Sequence, residues 1–312
     1  MRKFLVLSGI LLSGILSAQN NLLNAESPED FYTSTDEERE INNDQPLEYG
    51  YIAKRDVLWQ RVVWETIDLD ERVNFPLLYP LDDRLGDGRR SLYQVLTEAA
   101  RNDEIKLYGD SYFTQAKTAG EVEGSLSLTR ISDRGTEILN ENFIVYNDSV
   151  PMMDIDTVYN IPDFDQYVEE TKINPSDVKS YQIRGVWYFD ARQGELRYRL
   201  LGIAPMVIDV AAKAGVTADT GAEVALFWVY YPNAREILHD AKAFNSGNSA
   251  KPISFDHLLN SRRFNAVITK VDNVYGDREI GEYISDNSMM RLLEAERLKE
   301  DIRNFELEMW NN

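Results

Sequence analysis

No cysteine occurs anywhere in the 312 residues, and this narrows the possible folds more than any other feature. Without thiols a chain has no disulfide staple, no thiolate metal site, no iron–sulfur cluster and no cysteine nucleophile. Its stability has to come from burial. A chain this long can bury one large core or two moderate ones without covalent help.

The N-terminus says where such a chain works. Arg2 and Lys3 precede an apolar run, Phe4 to Leu16, and Ser17-Ala18-Gln19 closes it. This is the layout of a secretory signal, with cleavage expected after Ala18. A helix over that run rises about 20 Å, too short for the roughly 30 Å hydrocarbon core of a bilayer. Gln19 stands where bacterial lipidation would need a cysteine. The chain is therefore expected to be exported, with no direct membrane insertion and no acyl anchor, so that any membrane position is owed to a partner. The formal charge of −20 repels nucleic acid and anionic headgroups, and suits either a well-solvated surface or a basic partner.

Residues 19–46 hold Asn, Glu, Ser, Asp and Thr around Asp36-Glu37-Glu38-Arg39-Glu40 and show no apolar period, which predicts an acidic flexible arm. Phe31-Tyr32 is its one apolar pair and a candidate contact. The rest divides by pattern into a first half, 47–150, a second half, 151–288, and a C-terminal helix, 289–312. In the first half Val57, Leu58, Arg61, Val62 and Glu65 fit a helix over Lys54 to Ile67. Asn74 to Pro80 should be extended, because each proline disfavours helix before it. Ser91 is placed to cap a helix running to Arg101, with a short strand at Ile105 to Tyr108.

From 121 to 180 the signals are weak. In the second half, Val186–Asp190 and Glu195–Leu200 flank a glycine-containing turn and predict a hairpin with one basic face, Arg197 and Arg199. Val224 to Tyr231 is almost wholly apolar and aromatic, a strand covered on both faces. Pro232 should stop it, and Asn233 with Glu236 should cap a helix that turns Ile237, Leu238, Ala241 and Phe244 inwards and His239 to solvent. Ser254 opens a further helix to Phe264, and Ala266 to Val271 returns as a strand. Leu292, Ala295, Leu298, Ile302, Phe305 and Met309 form one stripe on the final helix, which places Trp310 at its end as a second candidate contact. The fold class that results is α+β, with mixed or antiparallel sheets packed with helices.

Candidate chemistry is thin. His239 and His257 are the only histidines, and neither has zinc-ligand spacing around it. Gly109-Asp110-Ser111-Tyr112 is similar to the nucleophile block of GDSL hydrolases, but Glu236 and Ser254 stand where an Asp three before a histidine is needed. Ser176-Asp177-Val178-Lys179 with Ser285-Asp286-Asn287 is similar to elements of penicillin-recognising enzymes, while Lys117-Thr118-Ala119-Gly120 is imperfect and out of order. Nothing picks an acid–base pair out of the many carboxylates. No catalytic residue, cofactor site or metal ligand set is assigned.

Several long blocks resemble the GldN/PorN family. They are Asp56-Val57-Leu58-Trp59-Gln60-Arg61-Val62-Val63-Trp64, Asn74-Phe75-Pro76-Leu77-Leu78-Tyr79-Pro80, Trp187-Tyr188-Phe189-Asp190, Leu226-Phe227-Trp228-Val229-Tyr230-Tyr231-Pro232, Arg262-Arg263-Phe264 and Asn273-Val274-Tyr275. The resemblance implies a non-enzymatic, periplasmic component of the gliding-motility and type IX secretion machinery of Bacteroidota. It further implies self-association in a ring at the inner face of the outer membrane, a GldK/PorK-type outer-membrane lipoprotein as partner, and contact with the GldL/GldM (PorM-type) motor. Two other classes stay open at this stage: a periplasmic hydrolase acting on peptidoglycan, for which Ser111, Ser176 and Ser249 are the serines to test, and a periplasmic ligand-binding domain.

Overall fold

The computed structural model describes residues 44–46, 48–82, 89–141, 163–217, 221–245, 247, 253–285 and 287–311. The signal and arm positions up to 43, Phe31 and Tyr32 among them, lie outside the described residues, as do Ser249, Asp154 to Asp156 and the side chain of Trp310. The fold that follows is that of the compact unit formed by residues 46–85 and 89–312.

In chain order the unit comprises β1 (Val57–Asp68), α1 (Phe75–Leu78), α2 (Leu92–Arg101), β2 (Leu107–Tyr108), β3 (Ala116–Lys117), α3 (Ala119–Leu126), β4 (Ser127–Ile131), α4 (Asp133–Glu141), β5 (Val168–Lys172), β6 (Val178–Asp190), β7 (Glu195–Ile208), α5 (Val210–Lys213), β8 (Glu223–Ala225), β9 (Trp228–Tyr230), α6 (Tyr231–Asp240), β10 (Lys242–Ala243), β11 (Ile253–Ser254), α7 (Phe255–Asn260), β12 (Val267–Val271), α8 (Ile280–Tyr283) and α9 (Ser288–Asn311). The α+β class is as expected.

Seven strands line up as β12-β1-β6-β7-β9-β2-β3, with β8 added to β7, and every pairing is antiparallel. Strands from both sides of residue 150 meet in this one sheet. Two small ribbons, β4-β5 and β10-β11, lie outside it.

The first correction falls on β1, which is a strand where helix was expected. Val57, Val62, Val63, Thr66 and Ile67 are β-branched and stiff at χ1, and two tryptophans add to a strand-like composition. The helical spacing is present too, but alternation decides. Val63, Glu65 and Ile67 point to one face while Trp64 points to the other, and each finds a buried environment only in a sheet.

Two proline readings fail for one reason. Phe75–Leu78 is a short helix, not an extended segment, and α6 begins at Tyr231 with no side-chain cap from Asn233. In both, Pro76 and Pro232 occupy the first helical turn, where a missing N–H costs nothing and the fixed φ suits a helix. Proline opens these helices instead of excluding them.

The expected α2 is present, and the Ser91 side chain accepts from the Gln94 N–H in a full capping box. The β6–β7 hairpin is present and far longer than expected. Ser254 caps α7, which stops at Asn260, because Arg262 takes a left-handed backbone at φ 51°. Phe244 lies past the end of α6 and is exposed under Arg89, not turned inwards, and His239 is half-buried, not open to solvent.

One face of the sheet buries Ile67, Tyr181, Ile183, Ile203 and Val207 against α2, α6 and α7. Further along that face, Ala295, Leu298 and Ile302 of α9 close over Val63 and Ile268. Phe305 stacks on Trp59 at 4.6 Å and meets Phe189 edge-on. Leu292, counted in the stripe, is exposed, so α9 meets the sheet only from Ala295 onwards.

Candidate interaction site

On the other face, register builds a row of side chains across three strands and ends it at a glycine on a fourth. Lys270 on β12 lies opposite Trp64 on β1, Trp64 opposite Arg184 on β6, and Arg184 opposite Gly202 on β7. Side chains in directly opposed positions share a face and sit close enough to touch. The Lys270 ammonium and the Arg184 guanidinium accordingly lie 4.6 Å and 5.1 Å from the Trp64 ring centre, one from each side.

The loop between β2 and β3 folds over this row. Phe113 fills the notch left by Gly202, where a Cβ would come 2.5 Å from the ring. It also contacts Tyr108 and Tyr230 edge-on. Tyr112 lies over Trp64, takes both cations against its own ring, and donates its hydroxyl to Asp277 at 2.7 Å. Arg184 donates to the Ser111 carbonyl at 2.8 Å.

Asp110 builds the loop itself. Its carboxylate accepts the N–H groups of Tyr112, Thr114 and Gln115 and the Thr114 hydroxyl. Short side chains that accept from the backbone two or more residues on are turn formers. Burial pushes the Asp110 carboxyl up, but the bonds from Gln115 and Thr114 outweigh it and hold it below the usual range. The same contest, decided by Asn273, Tyr112 and the charges of Lys270 and Arg184, keeps Asp277 low. Burial, followed by the bond to Asp277, pushes the Tyr112 hydroxyl up to about 12.

The Gly-Asp-Ser-Tyr block thus has a structural task. Ser111 contributes its carbonyl, and Asp110 is spent on turn amides. Ser176 sits in the turn before β6, where Asp177 pairs with Lys213 at 2.6 Å, while the Ser285 carbonyl accepts from Arg291 beside α9. Lys117 donates to the Leu226 carbonyl. The serines of the two tempting motifs are spread over different elements. His257 belongs to the cap of α7, its N–H donating to Ser254. Among the described residues no group of three or more His, Asp or Glu could hold a metal ion, and no helix is long and apolar enough to cross a membrane.

Two buried ion pairs fasten the helical face. Arg262 clamps Glu65 through two bonds of 2.9 and 2.8 Å, and Tyr198 donates to the same carboxylate across Gly185, a position where any Cβ would strike the Tyr198 hydroxyl. Arg235 holds Asp256 in the same bidentate way, with Tyr231 donating to it as well. The Arg235 guanidinium also covers Tyr49 at 4.2 Å, and Arg199 covers that ring at 4.7 Å while bonding the Gly50 carbonyl. The expected basic face of β7 therefore does internal work. Its Arg199 ties down residues 49 and 50, Arg197 pairs with Glu195, and Arg192 in the hairpin turn bonds the Tyr51 carbonyl.

None of these partners was readable before the register was known. Reading β1 as a helix hid the row, and an Asp followed by Thr four residues on was the available sign that Asp110 makes a turn. Residues 52–311 match the family described as "Gliding motility associated protein GldN". No curated protein matches the chain.

Proposed function

We propose that this chain, which belongs to the GldN family of gliding-motility-associated proteins, is a non-enzymatic subunit of a periplasmic ring. As a family member it is an envelope component of the gliding and type IX secretion machinery. Within that machinery it binds a GldK/PorK-type outer-membrane lipoprotein at the inner face of the outer membrane, couples to the GldM/PorM-type motor, and self-associates.

The observation that carries this is the family match over nearly the whole described body. The side-chain chemistry supports it: Ser111 and Ser176, two of the serines weighed as nucleophiles, lie in turns of separate elements, and Arg184, Lys213, Arg235 and Arg262 are spent on rings, carboxylates and carbonyls. A subunit held by a lipoprotein partner gains position from many weak contacts around an assembly. Phe31, Tyr32 and Trp310 are the contacts assigned to partners.

The test is genetic. Loss of the chain abolishes export through the type IX pathway and surface gliding, while Ser111→Ala, Ser176→Ala and Ser249→Ala combined leave both intact. Loss of export in that triple variant, with the protein folded and abundant, overturns the non-enzymatic reading.

A further inference from the structure

The β12 edge of the sheet carries an apolar surface that nothing among the described residues covers. Past β12 the chain reverses at 273–278, with φ of 80° at Gly276 and 58° at Asp277. Polar groups hold this turn firmly. The Asn273 side chain accepts the Tyr275 N–H at 2.9 Å and donates to the Val271 carbonyl at 3.1 Å. Asp277 accepts from the Asn273 N–H at 2.9 Å and from Tyr112. A turn fixed on both sides nevertheless presents Val274 at 92% exposure and Tyr275 at 78%. Apolar side chains held rigidly in water bring no benefit to the isolated chain, and they lower the ordering cost of a contact.

The surface continues onto two helices. The Arg278 guanidinium lies 5.8 Å from the Tyr275 ring centre and 4.9 Å from that of Tyr283 on α8. Tyr283 donates to Glu294 on α9 at 3.2 Å. Met290 stands one turn before Glu294, and Met289 and Leu293 next to it point, at 100° per residue, away from the buried Ala295, Leu298 and Ile302. Met289 is 62% and Leu293 57% exposed. Taking roughly 200 Å² for a fully exposed large residue, Val274, Tyr275, Tyr283 and these three side chains offer roughly 700 Å². A standard interface needs about 800 Å² from each partner.

We propose that this surface is the interface of a two-fold dimer, its occupant a second copy of this chain. A two-fold contact sets one patch against itself, so the patch must carry both halves of every complementarity. Shape meets that demand: beside the protruding turn runs a groove of about 340 Å³, walled by Val267, Ile280 and Leu292, with room for an aromatic side chain. Charge meets it too. Among the described residues Arg278 has no carboxylate within ion-pair distance, and Glu279 and Glu282 beside it have no cation. A two-fold axis places each Arg278 against these carboxylates of the other copy, whereas a foreign acidic or basic partner would call for one sign only. This dimer goes beyond the secretion reading and does not depend on it, so each can fail alone.

Sedimentation of the purified chain over a hundredfold concentration range tests it. Mass should rise from one chain to two. Tyr275→Ser and Met290→Glu should each raise the dimer dissociation constant at least about 30-fold, as central interface side chains do. Arg278→Glu should weaken the dimer, and adding Glu282→Arg should restore it. All four positions are exposed, so far-ultraviolet dichroism and a cooperative melt should be kept; Leu293→Lys serves as the alternative should one variant fold poorly. A monomer at every concentration overturns the proposal. So does a dimer that survives Tyr275→Ser combined with Met290→Glu, or a series of larger species unaffected by them.

Discussion

Removing either half of the Glu65–Arg262 pair should destabilise the protein unequally. Glu65 lies mid-sheet with its side chain 4% exposed, while the Arg262 side chain is 25% exposed. Arg262→Met strands a carboxylate with almost no access to water, keeping only the long 3.3 Å bond from Tyr198. The expected loss is about 3–5 kcal/mol, the usual cost of breaking a buried pair. Glu65→Leu strands a guanidinium that reaches solvent and still lies 4.1 Å from the Tyr198 ring centre and 5.3 Å from those of Trp187 and Phe264. Its loss should be smaller, about 2 kcal/mol, since a charge that stays partly hydrated needs its partner less. The double variant removes both charges, and its cost should fall below that of Arg262→Met alone. Urea unfolding with unchanged m-values is the assay. Equal single losses that add in the double variant would refute the reasoning, because they would mean that neither charge suffers from the absence of the other.

Four further outcomes follow from named contacts. Gly202→Ala drives a Cβ into Phe113 and should cost about 1–3 kcal/mol by overpacking, most of it recovered when Phe113→Leu is added; unfolding of the single and double variants checks this. The depressed carboxyls of Asp110 and Asp277 contribute stability that is complete above the ordinary carboxylate pKa near 4 and is lost as pH falls through their lower folded values; melting at pH 3 against pH 6 should show a smaller acid loss in Asp110→Asn. The Tyr112 hydroxyl, raised to about 12, should ionise late in an alkaline ultraviolet titration, and Tyr112→Phe should remove one late-titrating group. Phe305→Ala breaks the stack on Trp59, and hydrogen exchange should show α9 opening at a lower free energy while β6 keeps its protection.

What the sequence reveals about this fold depends on how local the deciding interaction is. Ser91 and Ser254 cap their helices through bonds three residues away, and a one-letter pattern finds them. The hairpin of β6 and β7 is equally local. β1 is different: its twelve residues satisfy both a helical and an alternating period, and only its pairing with β6 and β12, over a hundred residues distant, selects strand. Everything built on that register was therefore hidden, including the Lys270–Trp64–Arg184 row and the Glu65–Arg262 clamp. The two proline readings failed because a proline's effect depends on whether a helix starts or continues there, and the residues packed against Leu77 and Tyr231 decide that. Asn273-Val274-Tyr275 stood out only as a resemblance. That it forms a locked turn with its apolar pair facing outwards could be learned only from the structure.

On the function proposed above, this chain works by being held in an assembly at the outer membrane. Solubilising the envelope in mild detergent, capturing the chain and weighing the intact complex tests it most directly. The expected result is a large particle that contains an outer-membrane lipoprotein in fixed ratio to this chain, with many copies of each. A chain recovered alone and at low mass, while the other components of the machinery are present in the same extract, would contradict it.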